Sequence, residues 1–203
     1  MTEYIPLNKT RDINTFFYIP KKKEKEIHVR EFLVYSQTDN QNEGGEMNYL
    51  IRPIALKEIY ISVLKEKRVT NEEGWTRKVP VSHEVRPSGS IILDTAIRVM
   101  YETKTRSASE LAEKMGVPLP DLNGALRILT NFGATELIEQ YRLMQAQEYL
   151  ACTDLTYQEI ARRCGFTHYN SFHKMFKRLT GMCVLPFRKK YRPANYRELY
   201  GWE

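Results

Sequence analysis

The stretch DLTYQEIARRCGFTHYNSFHKMFKRLTGMCVLPFRKKYR, residues 154–192, constrains the fold more than any other part of this chain. Thr153-Asp154-Leu155-Thr156 opens a helix whose Ile160, Ala161 and Cys164 share one face. Gly165 then permits a turn at positive φ. Phe172, Met175, Phe176 and Leu179 recur at the spacing of a second helix, which Gly181 ends. The pattern predicts a helix–turn–helix over about 156–180 with a basic outer face. From Leu155 to Arg192 nine positive residues face one negative, Glu159, a local +8 against +6 for the whole chain. A charge run is usually a solvated face, but positive residues flanking apolar positions at helical spacing favour a nucleic-acid surface.

The same pattern occurs upstream as SASELAEKMGVPLPDLNGALRIL, about 107–130. Ser107 and Glu110 form a capping box, Gly116-Val117-Pro118 a turn, and Leu119 to Leu129 a helix. A longer helix, Thr135 to Cys152, joins the copies, with Leu137, Tyr141 and Met144 on one side and no internal proline or glycine to break it. Ile92, Ala96, Ile97 and Met100 mark a further helix before them. Charge separates the copies: six positive and eight negative residues lie between Ser90 and Thr153, a net of −2.

Before Gly89 the chain reads as strands and turns. Glu26 to Ser36 alternates apolar and polar residues, and Gln37 to Glu46 is a polar loop. Ile59 to Val69 and Trp75 to Val85 read as a hairpin with Gly74 in its turn, and Pro80 puts the second strand at an edge or near a break. The expected fold class is α+β: a small β-rich N-terminal domain over 1–88, then an all-α double helix–turn–helix domain over 89–203. The aromatic residues of the first part (Phe16, Phe17, Tyr18, Phe32, Tyr35, Tyr60, Trp75) suit a small core; a ligand sensor and a protein–protein module are the alternatives.

Several classes are excluded. No run of about 18 apolar residues would span a membrane, and the N-terminus lacks a signal-peptide core, which points to a cytoplasmic protein. Cys152, Cys164 and Cys183 have no metal-ligand or disulfide spacing and read as reduced structural thiols. His28, His83, His168 and His173 show no ligand spacing, and no glycine-rich phosphate loop, HExxH or nucleophile motif occurs. Neither an enzyme nor a cofactor or metal is expected.

Ile160-Ala161, Gly165-Phe166, Phe172, Phe176-Lys177, Gly181 and Phe187-Arg188 resemble the DNA-binding domain of AraC/XylS-type transcription regulators, with weaker similarity back to about Ile91. Arg142 falls where that family carries an arginine in its linker helix. The chain departs from the pattern at Val184 (usually proline), Asn131 (glycine), Leu126 (aromatic) and Gly124 (commonly a base-reading arginine). The resemblance implies a bacterial-type, sequence-specific regulator of double-stranded DNA, reading the major groove with the helix at about 168–179. His168, Tyr169, Asn170, Ser171 and Lys174 are the expected base-reading residues, and Arg162, Arg163, Thr167, Lys177 and Arg178 the phosphate contacts. Packing or a phosphate contact is an equal alternative for Tyr169, and Arg188 is open to packing through its stem. Asn123 and Arg127 would make weaker contacts from the first motif. RNA polymerase, a homodimer through the N-terminal domain and a small-molecule effector are further expected partners. The rival reading is a protein–protein or accessory module that keeps the fold but binds DNA weakly or non-specifically.

Overall fold

A computed structural model describes residues 53–202. The expected strand at 26–36 lies outside the described residues. Within them the order is α1 (Leu56–Ile59), β1 (Glu66–Thr70), β2 (Thr76–Pro80), α2 (Ile91–Thr103), α3 (Ala108–Met115), α4 (Leu119–Thr130), α5 (Ala134–Cys152), α6 (Tyr157–Arg163), α7 (Tyr169–Thr180), α8 (Val184–Tyr191), α9 (Tyr196–Leu199) and β3 (Tyr200–Gly201). The class is α+β: a small antiparallel sheet in the order β2-β1-β3 accompanies a helical body.

Both helix–turn–helix units form where the pattern places them. Ser107 Oγ accepts from Glu110 N at 3.1 Å to start α3, and Thr156 Oγ1 accepts from Glu159 N at 3.2 Å to start α6. Glu110 reaches back one residue further than a capping box requires, to Arg106 N. Each second helix ends in a left-handed residue, Asn131 at φ 62° and Gly181 at φ 71°. Asparagine tolerates that conformation better than most side chains, so glycine is dispensable at 131. Each also ends on a buried threonine: Thr130 and Thr180 bond the carbonyls of Leu126 and Phe176 at 2.8 Å.

The helix α5 is the axis of the body. Leu137, Ile138, Tyr141 and Met144 pack with α2, α3 and α4, while Leu143, Ala146 and Leu150 pack with α6, α7 and α8. The arginine Arg142 fastens the halves together. It donates to Thr105 O at 2.7 Å, and its guanidinium lies 5.0 Å from the Phe166 ring centre. Gly165 is required beside it, because a Cβ there would stand 3.3 Å from both the Arg142 guanidinium and Lys104 O, at φ +81°.

The hairpin expected over 59–85 is shorter than its apolar pattern suggested. Leu56 and Ile59 are buried on a short helix, and Ile61 and Leu64 are buried in the connection that follows, so their spacing reflects docking on the body rather than a strand. The ladder begins at Glu66 and ends at Pro80, with one further backbone bond beyond it, from Val81 N to Lys65 O at 2.7 Å. Gly74 sits in the turn at φ 88°, and β2 forms the edge. In α2 the exposed Ile92 yields the inward place to Leu93.

Residues 60–63 are held by the buried Glu148 of α5. Its carboxylate accepts from Tyr60 Oη at 2.8 Å, Ser62 Oγ at 2.5 Å and Val63 N at 2.8 Å. Burial pushes this carboxyl above its ordinary value, and the three donors oppose that rise. Glu148→Ala strands buried donors, each costing about 1–3 kcal/mol. We expect a loss of about 3 kcal/mol in urea denaturation, and a loss below about 1 kcal/mol would contradict the arrangement.

Candidate nucleic-acid interface

The second helix of the second motif is α7. Its inward stripe is complete: Phe172 and Phe176 are fully buried, with Met175 and Thr180 beside them. Phe176 meets Phe187 edge-on at 5.1 Å, and Phe166 meets Phe172 at 5.7 Å. This packing fixes which side chains α7 turns outward.

Asn170, Ser171, Lys174, Lys177 and Arg178 are exposed on α7. His168 is the exposed N-cap residue and Thr167 the exposed residue before it. Tyr169 is half-buried, with its ring 6.1 Å from Phe172 and 5.8 Å from His173. Packing therefore accounts for much of Tyr169, and its placement leaves only part of the ring to a ligand. Lys174 and Lys177 make no ion pair among the described residues, whereas Arg178 is bound to Glu139 of α5 at 2.6 Å. Arg162 and Arg163 share Glu159 at 2.9 and 3.3 Å. These exposed pairs are worth little and can be exchanged for another anion. An open groove of about 380 Å³ runs between α5 and α7, bordered by Ser171, Lys174 and Arg178 on one side and Glu139 on the other.

Not all of the positive charge between 155 and 192 faces outward. Arg188 donates to Leu155 O at 2.7 Å and lies 4.6 Å from the Tyr157 ring, so it is held within the domain by its guanidinium, where packing through its stem was the alternative expected. Arg192 donates to Thr153 O and Leu150 O and so closes the C-terminal end of α5. Arg192 stands in the second motif where Arg142 stands in the first, each binding a carbonyl of the segment ahead of its motif. Sequence reading counted Arg192 only as charge, and the correspondence with Arg142 was the signal for its role.

The first motif presents a different surface. Leu122 and Leu126 hold the inward places that Phe172 and Phe176 hold in α7. Matching the helices on these residues sets Pro120, Asp121, Gly124 and Ile128 of α4 against Asn170, Ser171, Lys174 and Arg178 of α7. Ile128 is 64% exposed and Gly124 offers no side chain. Asn123 is half-buried and turned inward: its Oδ1 accepts from Ala134 N at 2.8 Å, a cap supplied to α5 from a neighbouring helix. Gly133, the N-cap residue of α5, has no side chain for that task, and a Cβ there would press on Asn123 Oδ1 at 3.3 Å. Arg127 is exposed.

Among the described residues no group of histidine, cysteine and carboxylate side chains is placed to hold a metal ion, and no helix is long and apolar enough to cross a membrane. Burial pushes the Cys164 thiol up to about 12, as expected of a structural cysteine. Replacing Asn123 by alanine removes a helix cap, and we expect a stability loss of about 1 kcal/mol by urea denaturation. An unchanged midpoint would show that the cap is dispensable.

Comparison with known proteins agrees with this geometry. Residues 111–190 match the family described as a helix-turn-helix domain. Over 69 residues the chain is 35% identical to the HTH-type transcriptional activator RhaS of Yersinia pestis (strain Pestoides F), covering 34% of this chain and 25% of that protein. Over 73 residues it is 34% identical to the HTH-type transcriptional activator RhaR of Enterobacter sp. (strain 638), covering 36% and 26%. The match thus spans about a quarter of the length of these curated relatives. The C-terminal domain of AraT, a response regulator from Geobacillus stearothermophilus, shares the fold at a TM-score of 0.50 and 22% identity, over 54% of this chain and 93% of that one. Residues 111–190 of this chain therefore form a helix–turn–helix domain, similar to the AraC/XylS type.

Proposed function

We propose that the protein is a sequence-specific, DNA-binding transcription regulator that reads the major groove mainly with α7. The observation that carries this reading is the contrast between its two recognition helices. α7 combines a fully buried aromatic stripe with an outward row of Asn170, Ser171, Lys174 and Lys177. Asparagine can pair with adenine through two hydrogen bonds, and lysine can donate to guanine O6 and N7. His168 and Tyr169, at the head of the helix, complete the base-reading set. Lys177, Arg178, Arg162, Arg163 and Thr167 would grip phosphates, the arginines after exchanging their carboxylate partners.

On the equivalent face of α4 Pro120, Asp121 and Gly124 stand in place of Asn170, Ser171 and Lys174, only Arg127 keeps a positive donor, opposite Lys177, and Asn123 is engaged with α5. We therefore assign the first motif, Asn123 and Arg127 included, to supporting contacts. The relatives are transcriptional activators by name, which favours the regulator reading over an accessory module that binds DNA without specificity. We place the division of labour at 88/89. Residues up to 88 would serve dimerisation, RNA polymerase or another partner, or an effector; light scattering and a thermal-shift ligand screen on the full chain test these roles.

Selection of bound sequences from a random duplex pool at two salt concentrations tests the central reading. We expect an enriched motif and an affinity that falls steeply with salt, because the contacts release counterions. A pool that stays random would reject it. Lys174→Ala should cost about 1–3 kcal/mol on the selected site and relax one base pair, while Lys177→Ala should weaken all duplexes alike and lower the salt slope by about one. Equal losses of Lys174→Ala on selected and random DNA would remove it from the base-reading set. Asn170→Ala should reduce selected-site affinity more than Asn123→Ala does, measured on folded protein; the reverse order would make the first motif the main reader.

A further inference from the structure

The β1–β2 hairpin has an outward face that the reading by α7 does not use. Antiparallel pairing sets Arg68 directly opposite Lys78 and Thr70 directly opposite Thr76, and all four residues are exposed. Directly opposed like charges on a ladder are unfavourable unless an anion lies between or beside them. Among the described residues the one ion pair at this site is a long contact, Arg68 to Glu198 at 3.7 Å, with the Arg68 side chain 37% and the Glu198 side chain 66% exposed. Two cations and two hydroxyls on one flat face form a set of donors suited to successive phosphates and carry no means of distinguishing bases.

The hairpin is also fixed to the motif that carries the reading helix. β1 pairs with β3, and Trp202, just after β3, lies under the Arg163 guanidinium of α6 at 5.3 Å. Asp154, ahead of α6, binds Arg197 of α9 at 2.8 Å and Arg192 at 3.5 Å. The Tyr196 hydroxyl donates to the same carboxylate. At the base of the ladder, Leu64 and Val81 pack with Ala151 and Cys152 of α5. A ligand that meets α7 thus meets a surface whose position relative to the hairpin is set by these contacts. Glu72 and Glu73 make the hairpin tip acidic, so a polyanion would lie along the strands and not across the turn.

We propose that this face, Arg68, Lys78, Thr70 and Thr76, is a second, sequence-blind contact to the phosphate backbone of the duplex that α7 reads, flanking the segment read in the groove. The inference rests on the DNA-binding reading and goes beyond it, since it gives part of the region before Gly89 a nucleic-acid role. It also explains an opposed pair that folding alone disfavours.

The experiment uses the full chain and the double variant Arg68→Ala/Lys78→Ala on the selected duplex, with Lys177→Ala as a control. The double variant should lower the salt slope by about 1.8, since each released phosphate contact contributes about 0.9. It should weaken selected and random duplexes by the same factor and leave the preference between them unchanged. Hydroxyl-radical footprinting should lose protection on one flank only. Its melting temperature should stay level or rise, because like-charge repulsion is removed, so a binding loss cannot be ascribed to unfolding. An unchanged slope and footprint, with Lys177→Ala still lowering the slope, would overturn the clamp alone and turn the pair toward an acidic protein surface. Failure of the wild-type chain to retain any duplex would overturn the DNA-binding reading and this inference with it.

Discussion

Burial of the linker helix on nearly every side is the constraint on which the rest of the structure depends. From Leu143 to Glu148 each residue of α5 is at least nine-tenths covered, including Gln145, Gln147 and Glu148. A helix with apolar neighbours on one face could lean on a single motif. This one is packed by the first motif, the second motif and residues 60–64, so its polar groups need partners inside the protein. Glu148 finds them in residues 60–63, and Arg142 carries its charge out to Thr105 and Phe166. The spatial relation between the two motifs is therefore determined by the surroundings of one helix, from both ends and the middle.

The second motif was legible because its determinants are local. A period of three and four residues places Phe172, Met175 and Phe176 together, and Gly165 and Gly181 are the residues that left-handed turns demand. The same reasoning located the cap at Ser107 and the start of α6 within 153–156, where Thr156 is the cap. It erred where tertiary contacts reuse a local pattern. Ile59 and Ile61 alternate as a strand would, yet they are buried against the body, next to residues 60–63 that Glu148, far away in sequence, holds. Ile92 fits a helical stripe, but Leu93 takes the first inward place, while Ala96, Ile97 and Met100 are buried as expected.

Within the interface the sequence distinguished inward from outward residues on α7 but not which outward charges are already engaged. Nothing near Arg178 announces Glu139, and nothing near Asn123 announces the amide of Ala134. Charge counting over 155–192 likewise merged two populations. Lys174, Lys177, Lys189 and Lys190 remain in solvent, while Arg188 and Arg192 hold backbone carbonyls. The division follows chemistry: the guanidinium groups of Arg188 and Arg192, planar and rich in donors, take the structural carbonyls, and the four ammonium groups make no ion pair among the described residues.

The matching of Arg142 with Arg192, Thr130 with Thr180 and Asn131 with Gly181 means that the two motifs have kept a common chassis while their outer faces diverged. Scaffold and surface are thus separable in this molecule. The buried residues that seat α4 and α7 are distinct from those exposed on their outer faces, so one face can carry Pro120, Asp121, Gly124 and Ile128 without loosening the body. A chain built in this way can retire one of its two heads, or recommission it, through a handful of surface changes that the interior would not register.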